Sequence, residues 1–565
     1  MMNFKLGKFQ SELEILCSHF ENEKIAERIW QKDFTIWSDK PDEITNRLGW
    51  LNSPANTLKQ LDEINEFVAS VVKDGFKKVL LLGMGGSSLA PEVFRNTFGI
   101  KEGFLDLAVL DSTNPEQVKS LEDKFSVDET LFIVSTKSGG TVETFSFMKY
   151  FFNKTLNKVG KEKVGSHFVA ITDPGSGLES TAKQLNFRKI FLNDPNIGGR
   201  YSALSLFGIV PAALIGVDVK GILKLAEAYS YSTKSNNCNT NEAAKLGLAV
   251  GLLAKNNIDK LTFIYSKKFK YFGAWVEQLI AESTGKIGKG ILPVVDEEIF
   301  PPEKYLTDRV FVHTFFKSEN NSNEKLDLIK NSNFPFIENE IENINEIGVE
   351  FFKWEIATIV ASWVIKIQPF DQPNVESAKI VARKMVQEFK ETGKLSDLPI
   401  SCEEKGIKIA SDFNSKTIKE QFEKFFSLIV EMKKHTPLPY LSIQAYLNMD
   451  EENNSLLQNF RTAVQSKYNI ATTLGFGPRF LHSTGQLHKG DAGNGLFIQI
   501  IHEPNVDLQI PDEAGREESS ISFGVLVKAQ AFGDRQALVD NQRKVITINL
   551  GNNYSDNLKY LIDLI

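Results

Sequence analysis

The chain has 565 residues, enough for two or three domains with ample core, and its 42% hydrophobic and 24% charged content is ordinary for a globular protein. A net charge of −7 excludes the broad basic footprint of a nucleic-acid partner but leaves room for a local pocket holding one phosphate. Cys17, Cys238 and Cys402 are odd in number and widely spaced, which fits a reducing compartment and gives no metal-ligand pattern.

Met1 to Phe20 holds no continuous apolar run of the kind a secretory signal needs. Leu204–Val217 is short and carries Pro211, and Phe351–Ile367 holds Lys353, Glu355 and Lys366, so neither reads as a spanning helix. The expectation is a cytoplasmic chain without a membrane partner. Residues 1–48 are expected to form an N-terminal helical segment.

From Phe76 to Leu192, short β-rich runs alternate with helical segments. The predicted strands are Lys78–Leu82, Leu105–Leu110, Thr130–Val134, His167–Thr172 and Lys189–Leu192. Helices are predicted at Pro91–Phe98, Pro115–Lys124, Val142–Lys154 and Leu178–Leu185. Single helices between strands imply right-handed βαβ units and a parallel, doubly wound sheet, so residues 49–215 read as a first α/β domain. Ligands in such sheets sit beyond the carboxyl ends of the strands.

A second, less regular α/β region spans 216–390. It holds predicted strands at Leu261–Tyr265 and Arg309–Phe316 and helices at Val349–Ile367 and Asn374–Lys390. The polar stretch Glu391–Lys416 marks a boundary. Residues 391–565, a connector followed by a helix near Ile418–Met432 and strands at Tyr440–Leu447, Ile470–Leu474, Leu496–Ile501 and Val545–Leu550, are expected to complete the second domain. The Asn-rich pieces Ser235–Asn241 and Glu319–Asn323 read as exposed loops.

Two loops carry the first chemical signal. Gly83-Met84-Gly85-Gly86-Ser87-Ser88 and Ser135-Thr136-Lys137-Ser138-Gly139-Gly140-Thr141 each follow a predicted strand. Glycines let backbone N–H groups close on an anion, hydroxyls add donors, and the following helix presents its positive end. The first loop alone could be a nucleotide site or a plain tight turn. Against the dinucleotide fingerprint, Ser88 stands where a third glycine belongs, and Asp111 is the nearest candidate for a ribose-binding acid. Thr284-Gly285-Lys286 lacks the upstream glycine of a Walker loop, since Ile280 stands there. The second loop, with Thr136, Lys137, Ser138 and Thr141 ahead of a helix, shifts the balance toward a single phosphate held from two sides.

Five ordered motifs then resemble the glucose-6-phosphate isomerase family. They are G-M-G-G-S-S-L-A-P, S-T-K-S-G-G-T-V-E-T, G-G-R-Y-S-A-L-S from Gly198, Q-L-I-A-E-S-T-G-K from Gln278, and F-D-Q-P-N-V-E-S-A-K from Phe370. The likeness is nearest to the isomerase half of bifunctional transaldolase/glucose-6-phosphate isomerase proteins, with no transaldolase half here. It runs from about Gly49 to the C-terminus.

The resemblance implies two doubly wound, mainly parallel sheets of the SIS phosphosugar-binding type with helical additions. It implies reversible isomerisation of glucose 6-phosphate and fructose 6-phosphate by ring opening and metal-free proton transfer through an enediolate, without a cofactor. By the same likeness Gly86, Ser87, Thr136, Lys137, Ser138 and Thr141 hold the phosphate, and Gln278 and Gln372 match positions that line the pocket, although either could equally be a buried structural amide. Glu282 matches the catalytic base and Arg200 the enediolate-stabilising arginine; a carboxylate and a permanently charged guanidinium suit those tasks. Taken singly, Glu282 could equally decorate a helix end, and Lys379, which matches the ring-opening lysine, could be a surface lysine.

The histidine departs from the family order. His313, the only histidine between Glu282 and Lys379, lies in the strand-like Arg309–Phe316, whereas Phe480-Leu-His482-Ser-Thr-Gly-Gln-Leu-His-Lys-Gly490 resembles the family's histidine segment. Ring opening is assigned to His482, with His488 and His313 as alternatives. The seven histidines show no H-x-H or H-E-x-x-H spacing, so no metal is expected. A catalytically inactive sugar-phosphate sensor and an isomerase for another aldose phosphate, such as mannose 6-phosphate, remain competing functions. The family's common dimer makes a homodimer a further expectation, although the altered motif order leaves open whether His482 acts within its own chain.

Overall fold

The computed structural model describes residues 2–319 and 323–565. Of the Glu319–Asn323 loop, residues 320–322 lie outside the described residues. The chain opens with β1 (Met2–Lys5), followed by helices Gln10–Asn22 and Ile25–Trp30. After Trp30 the chain runs through turns, with one short 3-10 turn at Phe34–Ile36, up to Leu48. The four residues of β1 alternate in burial, too short a run to show strand periodicity in the sequence.

The first sheet holds β2 (Lys78–Gly83), β3 (Asp106–Leu110), β4 (Thr130–Ser135), β5 (Phe168–Thr172) and β6 (Lys189–Leu192) in the order β3-β2-β4-β5-β6. Every pairing is parallel. Val79 to Leu82 and Leu131 to Val134 are wholly buried, because a parallel sheet is covered by helices on both faces. Strand order reverses between β2 and β4. The crevice beyond the carboxyl ends of those two strands is where such folds bind ligands, and both glycine loops open there.

The second sheet is built from β7 (Lys260–Tyr265), β8 (Leu292–Val294), β9 (Arg309–Phe316) and β10 (Phe336–Ile341), ordered β1-β10-β9-β7-β8. Only β1 runs antiparallel, against β10. Its core and that of one face of the first sheet form one continuous apolar cluster, crossed by the buried helix Ile347–Val364.

The remaining strands form a sheet of their own instead of extending the second. They are β11 (Cys402–Glu404), β12 (Ile407–Ala410), β13 (Tyr440–Tyr446), β14 (Ala471–Phe476), β15 (Gly495–Ile501), the two-residue partners β16 (Gln509–Ile510) and β17 (Ile521–Ser522), and β18 (Lys544–Asn549). β16 and β17 pair only with each other; the rest are ordered β11-β12-β18-β15-β13-β14 and have a separate core around Phe422, Leu441, Leu457, Ile498 and Ile546. The mainly parallel α/β class is the expected one, but it is realised in three larger sheets. Sheet membership depends on which edge a strand finds, and a strand's own residues do not state that.

Side chains join the third sheet to the second. Glu297 accepts hydrogen bonds from the Thr472 backbone at 2.9 Å and from Arg309 at 2.7 Å, while Arg461 donates to the Val295 carbonyl at 2.9 Å. No described helix is long and apolar enough to cross a membrane.

Candidate active site

The two glycine loops touch. A Cβ at Gly86 would stand 2.0 Å from the Gly199 carbonyl oxygen, so only glycine allows the first loop to meet the turn that carries Arg200. Gly139 has φ +64°, and a Cβ there would lie 2.5 Å from the Leu178 nitrogen. Ser87 is buried, and its carbonyl accepts the Ser135 hydroxyl at 3.2 Å, which ties the first loop to the second.

In the second loop the Thr136 and Thr141 hydroxyls lie 2.9 Å apart, just ahead of the helix Val142–Val159. Ser138, Gly140 and Thr141 border a cleft of about 890 Å³, together with Lys379 and His482. The helix N-terminus adds unpaired backbone donors to these hydroxyls, an arrangement suited to a phosphate. Lys137 points elsewhere: its ammonium bonds Asp173 and, at 3.1 Å, the Pro195 carbonyl.

Arg200 is 4% exposed and held on all sides. It donates to Ser283 Oγ at 2.9 Å, Gln372 Oε1 at 2.8 Å and the Pro369 carbonyl at 2.6 Å, and its Nη1 stands 3.5 Å from Glu282 Oε2. Glu282 sits on the last turns of the Phe272–Thr284 helix. Gln278, one turn earlier, gives its amide to Glu282 at 3.2 Å and to the His482 carbonyl at 2.7 Å. Lys286 braces the Gln372 loop by donating to the Asp371 carbonyl and carboxylate at 2.5 and 2.7 Å. Burial, aided by the charge of Arg200, pushes the Lys286 ammonium down to about 8.

The histidine segment leaves β14 and enters between the first two sheets. Arg479 anchors it through an ion pair with Glu92 and a 3.5 Å approach to Asp111. Asp111 also accepts the Ser88 hydroxyl at 3.1 Å, so it is an internal partner of the first loop and not a free ribose clamp. His482 Nε2 then lies 3.0 Å from Glu143 Oε1.

Glu143 is the residue that sequence reasoning passed over. It is buried in the first turn of the helix after the second loop, and the same oxygen accepts Gln530 Nε2 at 2.7 Å. Gln530 Oε1 in turn takes the Thr113 hydroxyl at 2.6 Å. Burial pushes the Glu143 carboxyl up, but the positive charge of His482 and its hydrogen bond outweigh that, with help from nearby Lys379, and hold it below the usual range. An acid in a first helical turn is common enough to pass for dipole pairing, and nothing in the sequence marks Gln530.

Lys379 is on the exposed side of the Val375–Thr392 helix, facing the cleft. The other histidine candidates lie outside it. His313 is buried on β9 against Phe315, and burial lowers its imidazole to about 4. His488 is enclosed by Tyr440, Phe480 and Phe497, bonded to Gln444 at 3.2 Å, and pushed far down by burial.

A buried carboxylate–imidazole pair, an arginine-flanked glutamate and a hydroxyl-rich loop at a switch point are thus brought together. A family model described as phosphoglucose isomerase matches residues 25–291. The probable glucose-6-phosphate isomerase of Methanococcus maripaludis is 27% identical over 384 residues, covering 61% of this chain and 85% of that protein. The glucose-6-phosphate isomerase of Campylobacter jejuni is 26% identical over 405 residues, covering 61% and 94%. Among solved structures, a glucose-6-phosphate isomerase from Chlamydia trachomatis superposes with a TM-score of 0.56 at 17% identity, covering 69% of this chain and 89% of that one. A hypothetical protein from Thermus thermophilus gives the same TM-score at 21% identity, covering 68% and 99%. Over residues 25–291 the chain is thus similar to phosphoglucose isomerases.

Proposed function

We propose that the chain interconverts glucose 6-phosphate and fructose 6-phosphate. The observation that carries this reading is the meeting of Glu282, Arg200 and the His482 segment around Gln278 within hydrogen-bonding range, beside the hydroxyl-rich loop.

Thr136, Ser138 and Thr141 would hold the 6-phosphate, with Gly86 and Ser87 supporting the loop from the other side. Lys137 would act through charge and loop shape, since its ammonium is bonded to Asp173. His482, kept in one orientation by Glu143, would protonate the ring oxygen while Lys379 handles the anomeric hydroxyl. With the chain open, Glu282 would take the proton from C2 and return it to C1 through an enediolate. Arg200 would stabilise the oxyanion that develops, and Gln372 and Gln278 would fix it and Glu282 in register. No step is assigned to a metal.

We also take residues 1–48, 49–215, 216–390 and 391–565 as the working segments of the chain. The last supplies both His482 and Gln530 to a site otherwise built by the middle two. A homodimer is compatible with this arrangement but not needed to complete the site.

The test is a coupled assay of the purified chain on glucose 6-phosphate and on mannose 6-phosphate, with and without a chelator. Turnover of glucose 6-phosphate unaffected by chelation supports the reading. Binding without turnover would leave a sugar-phosphate sensor, and preference for mannose 6-phosphate would reassign the substrate.

A further inference from the structure

A second cavity, of about 390 Å³, lies away from the cleft at the amino ends of β7, β8 and β13. Its own carboxylates are already matched. Asp259 pairs with Lys260 at 2.6 Å, and Asp491 takes Arg543 at 2.8 Å and the Tyr440 hydroxyl at 2.7 Å.

Lys260 apart, its lysines are not matched in the same way. Lys255 ends the Glu242–Lys255 helix, and Lys366 follows the Ile347–Val364 helix; both are exposed, and neither ammonium has a hydrogen-bond or ion-pair partner among the described residues. Among the described residues Lys289 bonds only the Ile365 carbonyl, at 2.9 Å. Lysines at helix ends also answer the helix dipole, but that does not require three of them from three separate segments around one concavity. Lys366 is held at φ +57°, a left-handed position after a helix where glycine is the usual occupant. Asn257 and Asn494 add polar groups to the lining, and Leu292, Val364, Ile365 and Leu487 form an apolar wall.

We propose that this cavity is a second anion site, taking a small organic phosphate whose charged group meets Lys255, Lys289 and Lys366 and whose carbon skeleton rests on the apolar wall. The volume suits a molecule of triose to hexose size. Its wall joins the two catalytic segments. Gly288 N donates to the Gly490 carbonyl at 2.9 Å, and Gln486 Nε2 donates to the Gly285 carbonyl at 2.9 Å. Gly285 follows Glu282 by three residues and Gly490 follows His482 by eight, so an occupant braces the backbone carrying both. A site that pulls the two segments together couples its occupancy to the geometry of the cleft.

The test uses inorganic pyrophosphate as probe and hydrogen–deuterium exchange as readout, on the full chain. In the wild type, pyrophosphate is expected to slow exchange about fivefold or more at residues 288–292 and 491–494, as stable occupancy suppresses local opening. In Lys255→Ser/Lys366→Ser that slowing disappears while any slowing at residues 136–143, in the cleft loop, remains. No slowing at 288–292 and 491–494 in the wild type, or equal slowing in the double variant, overturns the proposal. Neither outcome depends on turnover, so failure of the isomerase reading is registered separately by the coupled assay.

Discussion

His482 Nε2 and Glu143 Oε1 stand 3.0 Å apart although 339 positions separate them in the chain. One end of this pair comes from the helix after a phosphate-type loop of the first sheet, the other from the segment that leaves β14 of the third. The carboxylate holds the ring through Nε2, and in the proposed mechanism the other nitrogen is the one that meets substrate.

The first prediction concerns the role of that ring. His482→Ala should lose about 10²- to 10⁴-fold in kcat on cyclic glucose 6-phosphate, the usual weight of a general acid–base group. On an open-chain analogue the loss should be far smaller. Equal losses on both substrates would remove the ring-opening assignment.

Gln530 donates to the same Glu143 oxygen that meets the imidazole. Gln530→Met keeps the side-chain length and removes the donor, leaving a buried carboxylate with one hydrogen bond fewer. The Glu143 carboxyl midpoint, followed by carbon NMR, should rise, and kcat on cyclic substrate should fall about tenfold with little change in KM. An unmoved midpoint would show that the amide does not support the pair.

Arg200 makes hydrogen bonds that a lysine cannot reproduce, since a guanidinium offers a planar fork of donors. Arg200→Lys should cost about 10²- to 10³-fold in kcat, the scale seen when an oxyanion donor is lost. A thermal melt separates this from unfolding: the variant should stay folded at the assay temperature. Retention of near wild-type kcat would take Arg200 out of the chemistry.

Glu277 gives a pH signature. It is buried beside Arg461 and Arg479, and burial pushes its carboxyl up to about 8. The folded state thus keeps its proton to higher pH than the unfolded chain does. Stability should fall as pH rises from the ordinary carboxylate range to about 8 and level off above it. Glu277→Gln should flatten that slope and raise Tm at pH 8.5 by roughly 2–6 °C. An unchanged slope would show that another group sets it.

The first sheet was legible because β2 and β4 are apolar on both faces, and such runs bounded by glycine have few other readings. β10, Phe336-Ile-Glu-Asn-Glu-Ile341, was not, because three polar residues interrupt it and its burial follows from lying between β1 and β9. Glu282, Arg200 and His482 could be found because each lies in a contiguous motif. Glu143 lay inside a quoted motif and still escaped, since its partner is in a different sheet's connection. Gln530 had no motif at all; only the packing of the Phe523–Asp540 helix brings it to Glu143. Contacts between segments far apart in sequence leave no local trace.

The central claim is that Glu282 and His482 of the same chain serve one site. The most direct measurement mixes inactive Glu282→Gln and His482→Ala chains, lets them exchange under conditions that allow any oligomer to re-form, and assays glucose 6-phosphate turnover. This account predicts no recovery at any mixing ratio, because each chain lacks one of the two groups in its only complete site. Recovery toward about a quarter to a half of wild-type activity, as sharing of a histidine between subunits gives, would contradict it.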